Sequence, residues 1–446
     1  SAGIASVCHS RHVAGWDPYY YPDNPPIPAD IVNLGYVINV IEDTAERREA
    51  LLKAWELTQQ VLIVSAQVLI NNRGTGKIAY GDGIVTCRNT FQKYYEQEEL
   101  KTYIDKVLGI DAVPAMLGVY FVFRDEQAKE SFRASRFRST TIYPRIRIPS
   151  KRFEDYEEQL KPLMDFVSFR GRLPVKGELP EAQEQELIAE FGSISRAFKV
   201  ILQATDEAEW DAIAYRRSLD TQVYLALTQF SHRPQFKQLA PEIQHDIKAF
   251  FGTYTDACQV ADNMLFNLGQ PGVMQTACQQ SKIGKRLPTA LYVHISALEE
   301  LDPRLRIYEG CASRTIGRME GATLVKFYTD QPKISYLFYP EFDTDPHPAL
   351  HRSMKIDLQD LKVHYRDYTT SKNPPILHRK ETFVTPNYPH YEQFAELTRQ
   401  EEEAGLLKPS HDIGTRQGWK KRLIENAIAI RGHSLYGDGA LGLTHG

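Results

Sequence analysis

Apolar residues near the start of the chain follow a strand pattern, then a helix pattern, then a strand pattern. The segment from Ile31 to Ile41 is apolar and rich in β-branched residues, which predicts a buried strand. Thr44 to Leu57 has helical spacing of its apolar residues, and Val61 to Val68 predicts a second buried strand. This order is typical of a βαβ unit and predicts a parallel pair of strands.

The pattern continues with a helix and a pair of strands. Thr90 to Leu108 predicts a helix, and Val113 to Arg124 predicts two strands that turn near Gly118. An Arg-rich segment then interrupts the pattern between residues 133 and 152. We expect this segment to connect the first part of the chain to the rest.

Helical spacing dominates residues 153–280, with breaks at Gly171–Pro180 and His232–Pro241. Strand-like segments return from about Leu291, and helical spacing returns at Tyr391–Ala404 and Gly418–Ala427. These patterns predict a helical middle region and an α+β C-terminal domain.

The composition excludes several classes of protein. With 42% hydrophobic and 25% charged residues, the chain has enough apolar material for packed cores and does not resemble a disordered chain. Its net charge of −4 argues against a general nucleic-acid coat but allows a local basic groove. Five scattered cysteines without a CxxC pair indicate reduced thiols and a cytoplasmic location. The sequence contains no apolar run long enough to span a membrane, so we expect no membrane partner.

Candidate ligand-binding residues lie at the expected strand ends. Asp17 closes the short apolar stretch HVAGWDP, and an acid at such a position binds ribose hydroxyls in nucleoside-binding α/β folds; the alternative is a turn acid before Pro18. Asn33, Gly35 and Tyr36 lie near the end of the next strand, where open α/β sheets bind ligands. For Tyr36 a buried aromatic residue is an equal alternative. Together with the closing strand pair, this order is similar to that of class I S-adenosylmethionine methyltransferases after their first strand.

Longer motifs carry a more specific resemblance. GWDPYYYP, PADIVNLGYVINVIED, TFQKYY, GKRLPTALYVHISALE, PKISYLFYPEFDTDPHPAL and NPPILHRKETFV resemble the bacterial DNA phosphorothioation-associated methyltransferase family, from about Gly15 to Leu435. The resemblance implies S-adenosylmethionine as the cofactor and a connection with sulfur-modified DNA or its defence system. Family members resemble other methyltransferases in a first strand and Gly-rich loop ahead of GWDP. Only Ser1–His12 precede it here, so we expect an N-terminally truncated domain whose enzymatic activity stays open.

The predicted fold class is α/β, with an incomplete Rossmann-like class I methyltransferase sheet, an α-helical region and an α+β C-terminal domain. The predicted divisions are a partial methyltransferase-like domain at 1–132, an Arg-rich connector at 133–152, a helical region at 153–280, an α+β domain at 281–435 and a Gly-rich tail at 436–446. In the tail Gly437, Gly439 and Gly442 match GxGxxG, but no helix can follow them. We interpret the tail as a Gly-rich terminus without a ligand-binding role. The alternative is a permuted chain, in which the tail completes the cofactor site.

Two further motifs resemble functional sites but lack a feature that the function requires. Asn24-Pro25-Pro26-Ile27 resembles the Asn/Asp-Pro-Pro-aromatic motif that positions the amino group of a flipped base, but it precedes the strand and lacks the aromatic residue. We interpret it as a polyproline turn. The histidines His347 and His351 are spaced for a metal on one helical face, beside two nearby acids, Asp343 and Asp345. Prolines interrupt any helix there, so we predict a surface loop and assign no metal.

Basic residues in two segments are candidates for nucleic-acid contacts. In the connector they alternate with aromatic residues, which suits phosphate contacts and base stacking; the alternative is a charged linker lying over its neighbours. In the second segment they form a loop that suits phosphate binding or a solvated turn. The candidates are Arg136, Arg138, Arg145, Arg147, His378, Arg379 and Lys380.

The sequence thus predicts an S-adenosylmethionine-dependent methyltransferase associated with DNA phosphorothioation or DNA modification, acting on DNA or within a DNA-modification complex. No catalytic base is recognisable. The alternative is a non-catalytic DNA- or protein-binding component of such a system. A third hypothesis is a metal-dependent nuclease centred on Asp343–His351.

Overall fold

The structure, a computed structural model, describes residues 15–16, 23, 26–68, 78–86, 90–139, 151–317, 319–410 and 412–437. The chain divides into two compact units, residues 1–125 (unit 1) and residues 126–446 (unit 2). Both mix helices and strands: unit 1 has a sheet with a parallel pair, and unit 2 has a larger antiparallel sheet. The predicted helical region and C-terminal domain therefore fall in one unit.

Unit 1 contains a mixed sheet, a small second sheet and two helices. Its elements are β1 (Ala29–Gly35), α1 (Thr44–Leu57), β2 (Thr58–Ser65), β3 (Ile78–Tyr80), β4 (Gly83–Val85), β5 (Phe91–Gln92), α2 (Gln97–Leu108), β6 (Val113–Met116) and β7 (Val119–Phe123). The larger sheet has the order β1-β2-β7-β6, in which β1 and β2 are parallel and the β6–β7 hairpin is antiparallel. The small sheet has the order β3-β4-β5.

Local sequence accounts for most of these elements. The carboxylate of Asp43 accepts hydrogen bonds from the first amides of α1, and Ala45 N lies 2.6 Å from Asp43 Oδ1. This cap fixes the helix start that the sequence predicts. The predicted βαβ unit and the turn at Gly118 are confirmed. The helix predicted from Thr90 is wrong over residues 90–96, because Phe91 and Gln92 pair with β4 and α2 begins only at Gln97.

The first strand differs from its prediction. It ends at Gly35 rather than Ile41, and Ile31 is 51% exposed. Val32 and Leu34 point to the core of unit 1, whereas Ile31 lies on the opposite face. Within the described ranges no strand pairs with the second edge of β1. The prediction that this segment forms a fully buried strand is therefore wrong.

Unit 2 begins with helices and continues into the antiparallel sheet. Its helices are α3 (Glu126–Ser135), α4 (Lys151–Glu154), α5 (Glu157–Arg170), α6 (Glu181–Phe191), α7 (Ile194–Ala204), α8 (Glu207–Thr228), α9 (Pro241–Phe251), α10 (Tyr254–Asn267), α11 (Val273–Gln280), α12 (Pro303–Ile316), α13 (Tyr391–Glu403) and α14 (Arg416–Glu425). Its strands are β8 (Lys285–Leu287), β9 (Ala290–His294), β10 (Leu324–Tyr328), β11 (Lys333–Phe338), β12 (Arg352–Asp357), β13 (Val363–Asp367), β14 (Ile428–Arg431) and β15 (Ser434–Gly437).

The helical middle and the α+β ending are both confirmed. The two predicted breaks separate α5 from α6 and α8 from α9. The sheet has the order β13-β12-β11-β10-β9-β8, with antiparallel neighbours throughout, and β14 and β15 form a separate hairpin that the sequence did not predict. Across the described part of the chain, no helix has the length and apolar run that a bilayer crossing requires.

Candidate functional site

The carboxyl end of β1 carries the first group of candidate residues. Tyr36 follows the strand directly, is 53% exposed and has a left-handed backbone with φ of 57°. Its amide donates to Ser65 O at 2.8 Å, which ties it to the end of β2. A non-glycine residue in this conformation stores strain, and such strain is concentrated at functional sites. Asp17, the predicted ribose ligand, lies outside the described residues.

Polar atoms border the space beside Gly35. A side-chain carbon on Gly35 would lie 3.2 Å from Asn33 Oδ1 and 3.5 Å from Ser65 Oγ. These two side chains come from the neighbouring strands β1 and β2. The Asn33 side chain is exposed. The alternative of a buried aromatic residue is wrong for Tyr36, because its side chain is largely exposed. The predicted residues Asn33, Gly35 and Tyr36 are thus together at one strand end.

A charged network supports the segment that follows Tyr36. Lys93 is buried and lies 3.0 Å from Asp82 Oδ2 and 2.6 Å from Glu99 Oε1, while its amide donates to Asn39 O at 2.7 Å. Arg47 donates to Asp82 Oδ2 at 2.6 Å, and this bond, aided by Lys93, lowers the pKa of Asp82 to about 2. Sequence reasoning missed Arg47 and Asp82, because nothing local signals a contact between positions so far apart in the chain.

The strain at Tyr36 predicts a measurable difference between two substitutions. We expect Tyr36→Gly to have a free energy of unfolding about 1 kcal/mol higher than Tyr36→Ala, because only glycine adopts positive φ without a steric penalty. Urea denaturation of both variants measures this difference. At Val40, which is 52% exposed and has no positive φ, the glycine variant should be the less stable of the pair. If the glycine variant were less stable than the alanine variant at Tyr36 as well, the backbone at Tyr36 would not be strained.

Of the four candidate arginines in the connector, Arg136 and Arg138 lie in the described part of the chain. Arg138 Nη2 lies 3.7 Å from Asp246 Oδ2, and its guanidinium lies 4.4 Å from the ring centre of Phe169. Burial lowers the pKa of Arg138 to about 10. Arg136 lies over the ring of Phe132 at 6.0 Å. Arg138 therefore fits the alternative of a charged segment packed on its neighbours, and Arg145 and Arg147 lie outside the described residues.

Of the three residues in the basic loop at 378–380, Lys380 is buried in unit 2, whereas His378 and Arg379 are half-buried. Lys380 is 2% exposed, and its Nζ donates to Phe342 O and Asp345 O, both at 2.7 Å. Burial lowers the pKa of Lys380 to about 7. Arg379 has a left-handed backbone with φ of 59° and pairs with Glu402. Lys380 does not fit a phosphate contact, because two backbone carbonyls already hold its ammonium group.

A cluster of histidine and glutamate side chains lies beside this lysine. His347 Nε2 lies 2.7 Å from Glu401 Oε1, and the rings of His347 and His378 are 4.8 Å apart. Trp419 packs on both rings at 4.6 and 4.5 Å. The prediction of a surface loop is wrong for His347, which is 7% exposed because the loop folds inward onto α13.

Burial dominates the electrostatics of this cluster. Desolvation lowers the pKa of His347 to about 3 and that of His378 to about 4, so both imidazoles are neutral at pH 7. Desolvation also raises the pKa of Glu401 to about 7. His351, the second histidine of the predicted metal pair, lies 3.3 Å from Glu341 Oε2 and is not in the cluster.

Glu401 was missed although the sequence contains a signal for it. The residues Phe394, Leu397, Thr398 and Glu401 follow helical spacing and form the buried face of α13. An acid on the apolar face of a helix is unusual and requires a partner when it is buried. The run of three glutamates from 401 to 403 conceals this position, because such runs are commonly solvated.

Comparison of the chain with protein-family models, with curated proteins and with solved structures finds no match. The family resemblance therefore stays a prediction from sequence motifs.

Proposed function

We propose that unit 1 takes part in the transfer of a methyl group from S-adenosylmethionine to DNA, in a system associated with DNA phosphorothioation. The strand order β1-β2-β7-β6 supports this proposal. It has a parallel pair joined by a helix and then an antiparallel closing pair, the order that the resemblance to class I methyltransferases implies.

The observation that carries the proposal is the strained Tyr36 beside Asn33 at the carboxyl end of a parallel strand. Ligands bind at this edge of open α/β sheets. Asn33 and Tyr36 have the spacing of the Asn/Asp-Pro-Pro-aromatic motif, with Leu34 and Gly35 in place of the two prolines. Unlike Asn24–Ile27, this tetrapeptide lies at the carboxyl end of the strand and ends in an aromatic residue.

The side chains have the chemistry that a flipped base requires. The amide oxygen of Asn33 and the hydroxyl oxygen of Ser65 accept hydrogen bonds, as an exocyclic amino group needs. The exposed ring of Tyr36 offers a stacking surface for a base. Gly35 leaves room between them, since its missing side chain would lie close to Asn33 Oδ1.

We expect the described residues at the end of β1 to form the part of the cofactor site next to the transferred methyl group. Asn33, Gly35 and Tyr36 would border the methyl group and its acceptor, and the expected ribose ligand is Asp17. S-adenosylmethionine supplies the activated methyl group when it is bound.

The test combines a binding measurement with a transfer measurement. S-adenosylmethionine is titrated calorimetrically into the chain, and transfer of a radiolabelled methyl group is measured on DNA duplexes with and without phosphorothioate linkages. We expect micromolar cofactor binding and DNA labelling, with Asn33→Ala and Tyr36→Ala each lowering the transfer rate at least about tenfold, which corresponds to about 1.4 kcal/mol.

Tyr80→Ala is the matched control, since Tyr80 is 50% exposed in the same unit but lies in β3. It should label DNA at the unaltered rate. Absence of cofactor binding by the folded chain would overturn the proposal and favour a non-catalytic binding component. Equal labelling by Tyr36→Ala and Tyr80→Ala would remove the role of Tyr36.

A further inference from the structure

Three side chains from separate segments of unit 2 bring their donor atoms together. His347 comes from the loop between β11 and β12, His378 precedes the short 3-10 turn Lys380–Phe383, and Glu401 lies in α13. One nitrogen from each histidine and one carboxylate oxygen all lie within 4.8 Å of one another. Glu401 is 1% exposed, so its carboxylate is almost completely removed from water.

Two of these side chains have a buried acceptor atom without a hydrogen-bond partner. His378 Nε2 lies 2.8 Å from Ile413 O, and because a carbonyl only accepts, Nε2 carries the proton. His378 Nδ1 therefore has a free lone pair, and it is buried without a hydrogen-bond partner. Glu401 Oε1 is also buried without a hydrogen bond, although it lies 2.7 Å from His347 Nε2.

A hydrogen-bonded cluster alone does not account for these atoms. A bond between His347 and Glu401 would leave His378 Nδ1 without a donor, and unsatisfied buried acceptors are unfavourable. A cation between the three atoms would accept electron pairs from all of them. The contact from His378 Nε2 to Ile413 O is also the arrangement that orients metal-bound histidines in proteins.

We infer that His347, His378 and Glu401 bind one divalent transition-metal ion, for which Zn²⁺ is the best match. Two imidazole nitrogens and one carboxylate oxygen are typical zinc ligands, and zinc sites with three protein ligands complete their tetrahedron with water. Mg²⁺ and Ca²⁺ prefer all-oxygen sites and fit this donor set poorly. The site is independent of the methyl transfer proposed for unit 1.

The ion would join three segments that are far apart in the chain. Because the donors are nearly closed off from solvent, the metal would hold the loop of His347 and the segment of His378 against α13. Trp419 of α14 covers the two imidazole rings and adds a fourth segment to the site. Metal binding should therefore raise the thermal stability of unit 2.

The test measures metal binding by the complete chain. After treatment with a chelator, the protein is titrated with Zn²⁺ against a chromophoric competitor and, separately, with Co²⁺ while the visible spectrum is recorded. We expect one tight equivalent, a higher melting temperature with Zn²⁺, and a Co²⁺ spectrum of tetrahedral intensity. His378→Gln and Glu401→Gln should each weaken Zn²⁺ binding at least about a hundredfold, the upper end of the loss caused by outer-shell changes.

His351→Gln is the matched control, because His351 lies in the same loop but pairs with Glu341. It should bind Zn²⁺ as tightly as the unaltered chain. Circular dichroism confirms that each variant is folded, and either glutamine variant alone decides the outcome if the other is unfolded. The inference is overturned if the unaltered chain binds no Zn²⁺ tightly, or if the folded glutamine variants bind it as well as His351→Gln.

Discussion

Replacement of Asp246 by alanine is expected to lower the free energy of unfolding of unit 2 by about 3–5 kcal/mol. Asp246 lies in α9 and is 5% exposed. Its Oδ1 accepts from Arg172 Nε at 2.8 Å, and its Oδ2 lies 2.8 Å from Arg170 Nη2. Removal of the carboxylate would leave buried guanidinium groups without this counter-charge, and that state is far more unfavourable than loss of a surface ion pair.

Hydrogen exchange measured on peptides of α5 and α9 reports the stability of this region directly. Asp246→Asn should have a similar effect to alanine, because it keeps the volume of the side chain but removes its charge. Asp211→Ala, at an exposed position of α8, is the control and should change stability by less than about 0.5 kcal/mol. A change below about 1 kcal/mol for both Asp246 variants would show that Glu178, which also pairs with Arg172, is a sufficient counter-charge.

In unit 1, Gly118→Ala is expected to lower the free energy of unfolding by about 2–4 kcal/mol. Gly118 has φ of 72°, and a side-chain carbon there would lie 2.6 Å from the backbone oxygen of Ala66. The β6–β7 hairpin and the end of β2 cannot separate freely, because Ala66 N donates to Gly118 O at 3.0 Å. Alanine therefore combines an unfavourable φ with a backbone clash.

Gly109→Ala separates these two effects. Gly109 has φ of 67°, but no atom lies within 4 Å of the position that its side-chain carbon would occupy. This variant should lose only about 1–2 kcal/mol, the penalty for the left-handed backbone. Hydrogen exchange of the β6–β7 and α2 peptides measures both losses. Equal losses in the two variants would mean that β2 moves away from the hairpin without difficulty.

The sequence by itself determined the elements that depend on local pattern. The helix α1 has the predicted ends, and the carboxylate of Asp43 caps its start. The parallel pair follows from two apolar segments joined by that helix, and the turn at Gly118 follows from a glycine between two strand-like segments. The breaks in the helical region follow from their glycine and proline residues.

The sequence also placed Asn33, Gly35 and Tyr36 at a strand end, since residues next to one another in the chain share a location. It did not determine that Tyr36 is strained and exposed. Its left-handed backbone accompanies a hydrogen bond from its amide to Ser65 on the neighbouring strand, a contact that local sequence does not encode. Nor did it determine the exposure of Ile31, because the pattern of a strand does not say which of its faces is covered.

Only the tertiary structure brought His347, His378 and Glu401 together. His347 had been considered with its sequence neighbour His351, and His378 with the basic residues beside it. Pairing with residues close in sequence was the only grouping that spacing could suggest. The actual partners meet because α13 turns its apolar face, with Glu401 on it, toward two inward-folded loops. Such convergence depends on how whole elements pack, and local periodicity contains no information about it.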